Sequence, residues 1–494
     1  MTLDHFIRRS TETSDGAPSL PNSLCQKNSF YLINSIGYLK IAAKIFPVEN
    51  TQLPTRWSHY CSLCSQIRDL NSQSCPHCKS LTPLAGNIPI ISKNHELFVL
   101  NWVRDYQSFL KKIDSDIDRL KSCSPLISTQ QAKGKISNYR KNLLCKKKIF
   151  EKILAPWLAI DLKEIPLPLR SSVNLDQYYE NILRDWSSDV DPTERTAYFE
   201  IAIKLLNPLL SIKKILIVGA GPARIAFDLA IEFPDIQFLA TDIHPFLLGI
   251  GNALAHGAQL EAPEFPLAPL SDEHSKLHAL KNSEKIKPKN LQFAILDFFE
   301  NSNLAEPVDL IITPWLVDIV DSNFLEFSLQ VKKYLKPNGY WLNFGTFFFQ
   351  KQKIENQISR NECAEFLESL DFRIQNLGDF ETPYLQSKLS GHKRFESVFY
   401  FLAEYIKTQN PNQFLENNNG ANQMNQIDSS TVIKLSEKLL FDRDVFIAEA
   451  QLLSLFDGKR SFSECIQQAE KLFGMTQIEA KNALLNYLKR KGVV

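Results

Sequence analysis

The chain has no excess of charge of either sign: 56 Lys+Arg stand against 55 Asp+Glu, a formal net charge of +1. That balance excludes a protein that works by coating a polyanion, although a local patch can sit inside a neutral total. There is no uninterrupted apolar run of about 18 residues, so no membrane-spanning helix is expected. The opening MTLDHFIRRS has no apolar stretch behind its basic residues, so no secretory signal is expected. Evenly spread cysteine pairs are also missing. Of nine cysteines, Cys25, Cys123, Cys145, Cys363 and Cys465 are scattered, while Cys61, Cys64, Cys75 and Cys78 crowd together. This argues against a secreted disulfide framework and for a reducing, cytoplasmic setting. No internal repeat is present. What remains is a chain of 494 residues, 44% apolar and 22% charged, the composition of a globular protein with a sizeable core. At roughly 150 residues per domain it should form about three domains.

The crowded cysteines read CSLC and CPHC with ten residues between the pairs. Two CxxC turns bring four thiolates together at the tetrahedral geometry that zinc prefers, and a redox role would need only one such pair. The expectation is a structural Zn2+ held by Cys61, Cys64, Cys75 and Cys78, with no open position. His59 and His77 stand nearby as substitute ligands or, as the preferred reading, outer neighbours of the site.

Changes in the text suggest boundaries. Residues 1–92 hold the zinc ribbon, with a polar, poorly ordered beginning at 1–24. Residues 93–173 are helical and basic: 101–160 carry 13 Lys+Arg against 5 Asp+Glu. That charge suits a nucleic acid or, more commonly, a solvated helix face. Residues 174–210 read as two helices broken near Asp191-Pro192. From 213 to about 407, short β-rich runs alternate with helical ones: KKILIVGAG, IQFLATD, LQFAILDFF, VDLIITPW, GYWLNFG, FRIQNLG and FESVFYFLAEY. Such alternation predicts parallel crossover units in an α/β, Rossmann-like doubly wound sheet of seven strands, closed by an antiparallel pair. Residues 408–430, rich in Asn and Gln, read as a linker, and 431–494 as a small helical domain.

Within the sheet region, KILIVGAGPARIAFDLA places a buried strand, then Gly219-Ala220-Gly221, then a helix. Glycine lets a nucleotide-type cofactor approach the backbone, and the helix N-terminus offers unpaired N–H groups. The next strand ends in Asp242, 21 residues beyond Gly221. A carboxylate there can accept both ribose hydroxyls of a nucleoside, or it can cap the following helix. The dinucleotide fingerprint calls for a small residue where this chain has Arg224. A cation suits the carboxylate of S-adenosylmethionine better than a crossing pyrophosphate. Asp297 and Phe298, in LDFF at the end of the third strand, fall where the adenine of that cofactor would lie.

Four segments together resemble the carnosine N-methyltransferase family of class I, S-adenosylmethionine-dependent enzymes. They are YYENILRDWSSDVDPTERTAYFEIA (with Arg184, Asp185, Trp186, Glu194, Arg195 and Tyr198), GAGPARIA, LDFF, and DLIITPWLVDIVDSNFLEFSLQVKKYLKPNGYWLNFG (with Asp318, Asn343 and Gly345). The resemblance spans about 174–406. It implies methyl transfer to a nitrogen, with the imidazole of a histidine-containing dipeptide as the type substrate. Asp318 would then position or deprotonate the acceptor, and Asn343 would assist. Read from the residues alone, Asp318 serves equally as a helix cap and Asn343 as an amide satisfying buried backbone. One departure stands out. Where the family has glycine-proline and then a substrate-holding histidine, this chain reads Gly345-Thr346-Phe347-Phe348-Phe349-Gln350. The resemblance therefore does not carry carnosine itself over as the acceptor. Phe347 to Phe349 read as pocket wall or as core. Tyr384 and His392, before the last strand, are candidates to line the acceptor site or are exposed loop residues.

At the other end, DGKRSFSE resembles winged-helix units related to peptide-recognition domains of ribosomal-peptide maturation. The expected order is helix, Asp457-Gly458 turn, helix, helix and a short strand. Its near-neutral charge, ten Lys+Arg against nine Asp+Glu over 428–494, argues against a nucleic-acid role and favours peptide docking or packing. A rival from another class is a nucleic-acid-associated protein in which zinc ribbon and winged helix do the work and the Rossmann-like core is vestigial.

Overall fold

A computed structural model describes residues 57–406, apart from 93–94, 124, 126–128, 159–174, 176–177, 273, 283–285, 301–303 and 350–351. It also describes 432–434, 457–473 and a few positions between 476 and 485. The polar beginning and the linker expected at 408–430 lie outside the described residues.

Uninterrupted apolar strands form the centre, as parallel strands covered on both faces must. They are β5 (Lys214–Val218), β6 (Gln237–Asp242), β9 (Leu291–Leu296) and β10 (Val308–Pro314), joined by β11 (Leu335–Gly345) and the long pair β12 (Phe372–Pro383) and β13 (Phe395–Tyr405). In space they run β12-β13-β11-β10-β5-β6-β9. β13 lies antiparallel between β11 and β12, and the remaining pairs are parallel. The chain leaves β5 toward β6 on one side and returns to β10 on the other, so the carboxyl ends of β5 and β10 flank a switch point, where α/β sheets bind ligands.

Two additions depart from the seven strands expected. The hairpin β3 (Leu84–Ala85) and β4 (Ile88–Ile91) extends the sheet past β9, Ile90 pairing parallel with Ile295, to give nine strands. Its residues come from the zinc-ribbon region, whose own small sheet is β1 (Ser58–Tyr60) with β2 (Ile67–Asp69). A second hairpin, β7 (Gln259–Glu264) with β8 (Lys276–Lys281), stands apart from the main sheet. The sequence gives it little signal because β7 contains Pro263 and lacks clean alternation.

The basic stretch forms α1 (His95–Ser122) and α2 (Gln130–Leu158). Tyr106, Phe109 and Ile113 of α1 and Phe150 and Leu154 of α2 share one buried cluster with Phe246 and the sheet. The boundaries expected at 92/93 and 173/174 are thus not breaks in the core: the textual change is real, but the apolar faces of these helices find their burial on the methyltransferase-like sheet. The pre-sheet helices α3 (Tyr179–Trp186) and α4 (Thr193–Leu206) fall where expected, on either side of Asp191-Pro192. The remaining helices of the sheet region are α5 (Arg224–Glu232), α6 (Pro245–Ala255), α7 (Phe324–Tyr334) and α8 (Arg360–Ser369).

In the C-terminal stretch, Asp457–Ser461 is a strand, β15, pairing antiparallel with β14 (Val432–Lys434), and α9 (Phe462–Phe473) follows. Asp457-Gly458 is therefore strand rather than the turn expected. Pairing with a segment more than twenty residues upstream decides this, and a local reading cannot see it. The rest of that unit lies outside the described residues.

Candidate active site and metal centre

The glycine turn leaves β5 with Gly219 at φ +71° and Gly221 at φ +53°, a region that glycine adopts without the clash a side chain would bring. A Cβ at Gly219 would meet Leu316 Cδ1 at 2.8 Å, whereas one at Gly221 would meet nothing within 4 Å. The turn is held from several sides. Ala220 N–H donates to the Thr241 carbonyl at 2.9 Å, and Ala223 N–H to that of Ala220 at 2.8 Å. The Trp186 indole N–H donates to the Pro222 carbonyl at 2.9 Å. A Cβ on Gly251 of α6 would lie 2.2 Å from that same oxygen. The RDW segment thus packs behind the turn as a brace.

Asp242 closes the turn from the next strand. Its Oδ2 accepts the Gly221 N–H and its Oδ1 the His244 N–H, each at 2.7 Å. Desolvation pushes its pKa up to about 6, against the pull of those backbone donors. Its two oxygens offer about four acceptor sites, more than the three backbone donors of Gly221, Ile243 and His244 take up, and the residue keeps some exposure to the crevice. Asp242 therefore both ties the turn, much as a cap would, and presents acceptor capacity for hydroxyls. Arg224, the first residue of α5, is buried; its Nε donates to Asp228 Oδ1 at 2.7 Å and its guanidinium lies 5.0 Å from the Trp186 ring. At the end of β9, Asp297 accepts the Phe299 N–H at 3.0 Å. The Phe298 ring turns into the core against Tyr334 at 5.1 Å and Phe327 at 5.5 Å, so of that pair only Asp297 presents its side chain at the strand end.

On the other side of the switch point, Asp318 follows β10. Its Oδ2 accepts the Thr346 hydroxyl at 2.6 Å and the Phe348 N–H at 2.8 Å. It does not cap α7; Asn323 does, accepting the Glu326 N–H at 2.9 Å. Asp318 instead clamps the loop after β11. In that loop Phe347 and Phe349 are core, packed on Phe324, while Phe348 is exposed. Asn343 is only 1% exposed. Its Oδ1 accepts the Thr313 hydroxyl at 2.8 Å, and that hydroxyl oxygen accepts the Trp341 indole N–H at 2.8 Å. The structure thus encloses Asn343 in the sheet with its oxygen matched and its Nδ2 buried without a hydrogen-bond partner, which is uncommon for a buried amide.

Tyr384 packs on Trp315 with ring centroids 4.9 Å apart, and Arg394 stacks over Tyr384 at 4.6 Å. His392 is exposed at the edge of the same loop. Trp315, which the sequence reading passed over, leaves β10 at φ +54° with its indole nitrogen buried and without a hydrogen-bond partner. Its position, directly after a parallel strand, was the available signal. Tyr178 was also missed; burial and the Asp242 charge raise its pKa, which places it electrostatically beside the crevice.

In the cysteine region the two CxxC turns repeat one hydrogen-bond pattern. Ser65 N–H donates to Cys61 O at 2.9 Å and Cys61 N–H to Gln66 O at 2.9 Å; Lys79 N–H donates to Cys75 O at 3.0 Å and Cys75 N–H to Ser80 O at 2.7 Å. Ser65 and Lys79 both take positive φ. The four sulfurs lie within 4.8 Å of one another, with Cys61–Cys78 and Cys64–Cys75 at 3.6 Å. That is far beyond a disulfide bond and close to the roughly 3.8 Å edge of a tetrahedron with zinc–sulfur bonds of about 2.3 Å. His59 is buried with Nδ1 3.0 Å from the Tyr60 carbonyl, and His77 is exposed; neither joins the cluster. No helix of the described residues is long and apolar enough to cross a membrane.

Comparison with known proteins agrees with this geometry. The family model described as carnosine N-methyltransferase matches residues 170–406. The carnosine N-methyltransferase of Schizosaccharomyces pombe is 24% identical over 254 residues, 43% of this chain and 65% of that protein. The one from Dictyostelium discoideum is 24% identical over 312 residues, 54% of this chain and 64% of that protein. The chain thus spans just under two thirds of the length of these relatives. Among solved structures, the N-methyltransferase NodS from Bradyrhizobium japonicum WM9 superposes with a TM-score of 0.30 at 13% identity, covering 44% of this chain and 99% of that one. Residues 170–406, which carry the sheet from β5 to β13, are thus similar to the carnosine N-methyltransferase family.

Proposed function

We propose that the chain is an S-adenosylmethionine-dependent N-methyltransferase acting on a nitrogen, an imidazole nitrogen being the type, of a small molecule or peptide. The observation that supports it most is the pairing across the switch point. A glycine turn tied to Asp242 stands on one side, and Asp318 with a spare carboxylate oxygen on the other. When bound, S-adenosylmethionine supplies an electrophilic methyl group on a sulfonium. Gly219 and Gly221 let the turn lie close to it, Asp242 accepts the ribose hydroxyls, and Asp297 marks the adenine end. Arg224, committed to Asp228 and Trp186, positions the turn's helix and adds positive charge behind it.

Asp318 holds the acceptor. Its Oδ2 is taken by Thr346 and Phe348, so Oδ1 is left to accept an N–H of the substrate. A carboxylate bonded to one imidazole nitrogen makes the other a better nucleophile, and alignment supplies much of the rest. Asn343 contributes by bracing β10 against β11 through Thr313. Tyr384 and Trp315 form the wall on the acceptor side.

We infer further that the four cysteines hold a structural zinc, and that 431–494 is a winged-helix-like unit that docks a peptide. The rival reading, a nucleic-acid-binding protein with a vestigial core, has no support in a crevice whose turn, acid and brace are all in place.

The test is mass spectrometry of imidazole compounds and peptides incubated with the full chain and methyl-labelled cofactor. The expected result is label on a ring nitrogen; cofactor binding with label on oxygen or carbon acceptors alone would overturn the reading. Deleting 431–494 should leave small-molecule transfer intact and lower peptide transfer; equal loss of both would remove the docking role.

A further inference from the structure

Helix α6 begins just after Asp242 without a cap of its own. An N-cap side chain ordinarily accepts one of the first helical N–H groups. Here the N-cap is His244, whose side chain makes no such bond, and Pro245 follows it with no N–H to offer. The His244 ring packs instead on Trp102 of α1, with centroids 4.7 Å apart. The N–H that needs an acceptor is that of Phe246. It finds one 140 residues back in the chain, donating to the Tyr106 hydroxyl at 3.0 Å.

Tyr106 is built into this place. It is fully buried, with its ring stacked on Trp102 at 5.4 Å. Burial, with the charges of Asp242 and Asp105, pushes its pKa well above the usual tyrosine range, against the pull of the Phe246 N–H. The phenol therefore stays neutral at ordinary pH. Phe246 is also pinned from α2, its ring stacked on Phe150 at 3.7 Å. At the other end of the same short segment, Asp242 accepts the His244 N–H on Oδ1 and the Gly221 N–H on Oδ2. A few bonds of backbone thus connect the Tyr106 hydroxyl to the carboxylate given above to the ribose. Tyr106 itself lies outside the residues 170–406 that match the family model.

We propose that Tyr106 is a positioning residue for the cofactor: by capping α6 from α1 it fixes the segment 242–246, and with it the Asp242 oxygens that take the ribose hydroxyls. Cofactor affinity is thereby tied to the docking of α1 on α6. This role rests on the ribose contact proposed for Asp242, and the test separates the two.

S-adenosylhomocysteine and its 2′-deoxy counterpart are titrated calorimetrically into the full chain and into Tyr106→Phe, Asp242→Ala, the double variant and Ile113→Val. Thermal unfolding checks that each is folded. A ribose hydroxyl bonded to a carboxylate should give the unaltered protein a preference of about tenfold or more for the ribose form. Tyr106→Phe keeps the ring and loses only the oxygen; the preference should fall to about threefold or less. Asp242→Ala should abolish it, and adding Tyr106→Phe should change it no further, because the two act as one unit. Ile113→Val, which trims a core contact elsewhere on α1, should keep the full preference.

A preference left intact in Tyr106→Phe would overturn the positioning role and leave the ribose contact standing. No preference in the unaltered protein would remove the ribose contact and the positioning role together. Should Tyr106→Phe not fold, hydrogen exchange on the unaltered chain decides. Coupling is reciprocal, so S-adenosylhomocysteine should slow exchange in α1 around Trp102 and Tyr106, and the 2′-deoxy form should slow it less. Exchange there that neither ligand changes, or that both change equally, would overturn the proposal.

Discussion

The two halves of the sheet's carboxyl edge turn the chain by different means. After β5 the left-handed positions fall on Gly219, Gly221 and the small Ala223; after β10 and β11 they fall on the bulky Trp315 and Phe347. A glycine takes that conformation freely, whereas a bulky side chain there costs about 1 kcal/mol or more. The proposed cofactor half is thus built mostly from glycine backbone, with Ala223 the one side chain in the left-handed region and one acid, Asp242, closing the turn by two 2.7 Å bonds. The proposed acceptor half is built from bulky side chains on strained turns; buried polar atoms without a partner occur on both halves, at Trp315 Nε1 here and at the His244 ring beside Asp242. Side-chain size, more than the presence of a left-handed position, thus separates the two edges.

That contrast can be broken first at the cofactor half, where the largest effect is expected. Gly219→Val places a branched side chain at φ +71° against Leu316, and S-adenosylmethionine affinity by calorimetry should fall by about a hundredfold or more, roughly 3 kcal/mol. Affinity within tenfold of the unaltered protein would show that the turn is not the binding element.

Asp242 carries a pH signature of the same half. Desolvation holds its pKa at about 6, above the roughly 3.9 of an unfolded chain. The native state therefore binds this proton more tightly, and the group's contribution to stability is greatest at low pH and declines as pH rises from about 4 through 6. Cofactor affinity runs the other way, since the carboxylate is the acceptor: it should weaken roughly tenfold between pH 7 and pH 5, and Asp242→Ala should be weak and flat over that range. A wild-type profile without that slope would remove Asp242 from the ribose contact.

The acceptor half is sharpened by Asp318→Asn. Turnover should fall about a hundredfold or more while cofactor affinity stays within twofold; unchanged turnover would leave Asp318 only its hold on the Thr346 loop. The smallest effect on chemistry is expected at the cysteines. Metal analysis should find one zinc per chain. Its removal by a chelator should lower Tm by several degrees, because Trp57 and Leu70 of the ribbon pack with Leu304 and the sheet, while cofactor affinity shifts less than threefold. Absence of zinc in protein purified without chelator would end the metal assignment.

Much of the cofactor half was legible in the sequence because its parts are local. Gly219, Gly221 and Asp242 sit at strand ends that apolar runs announce, and the CxxC pairs declare themselves by spacing. The acceptor half was legible only in outline. Asp318 was singled out, but its role as a clamp on Thr346 and Phe348 depends on a loop 28 to 30 residues away. Asn343 reads from the sequence equally as a site residue and as a structural amide; the pairing of β10 with β11 encloses it and leaves its Nδ2 unpartnered. Phe298 was read beside Asp297, and the turn after β9 sends its ring into the core.

By itself the sequence determined the parallel core, the glycine turn with its acid, and the cysteine knuckles, since each depends on residues close together in the chain or on the period of a strand. Tertiary structure alone decided that the ribbon's hairpin joins the sheet as its eighth and ninth strands, that the basic helices bury their apolar faces on it, and that Tyr106 of α1 caps α6. These outcomes depend on which surfaces remain to be covered once the sheet has formed, and no local pattern of residues encodes that.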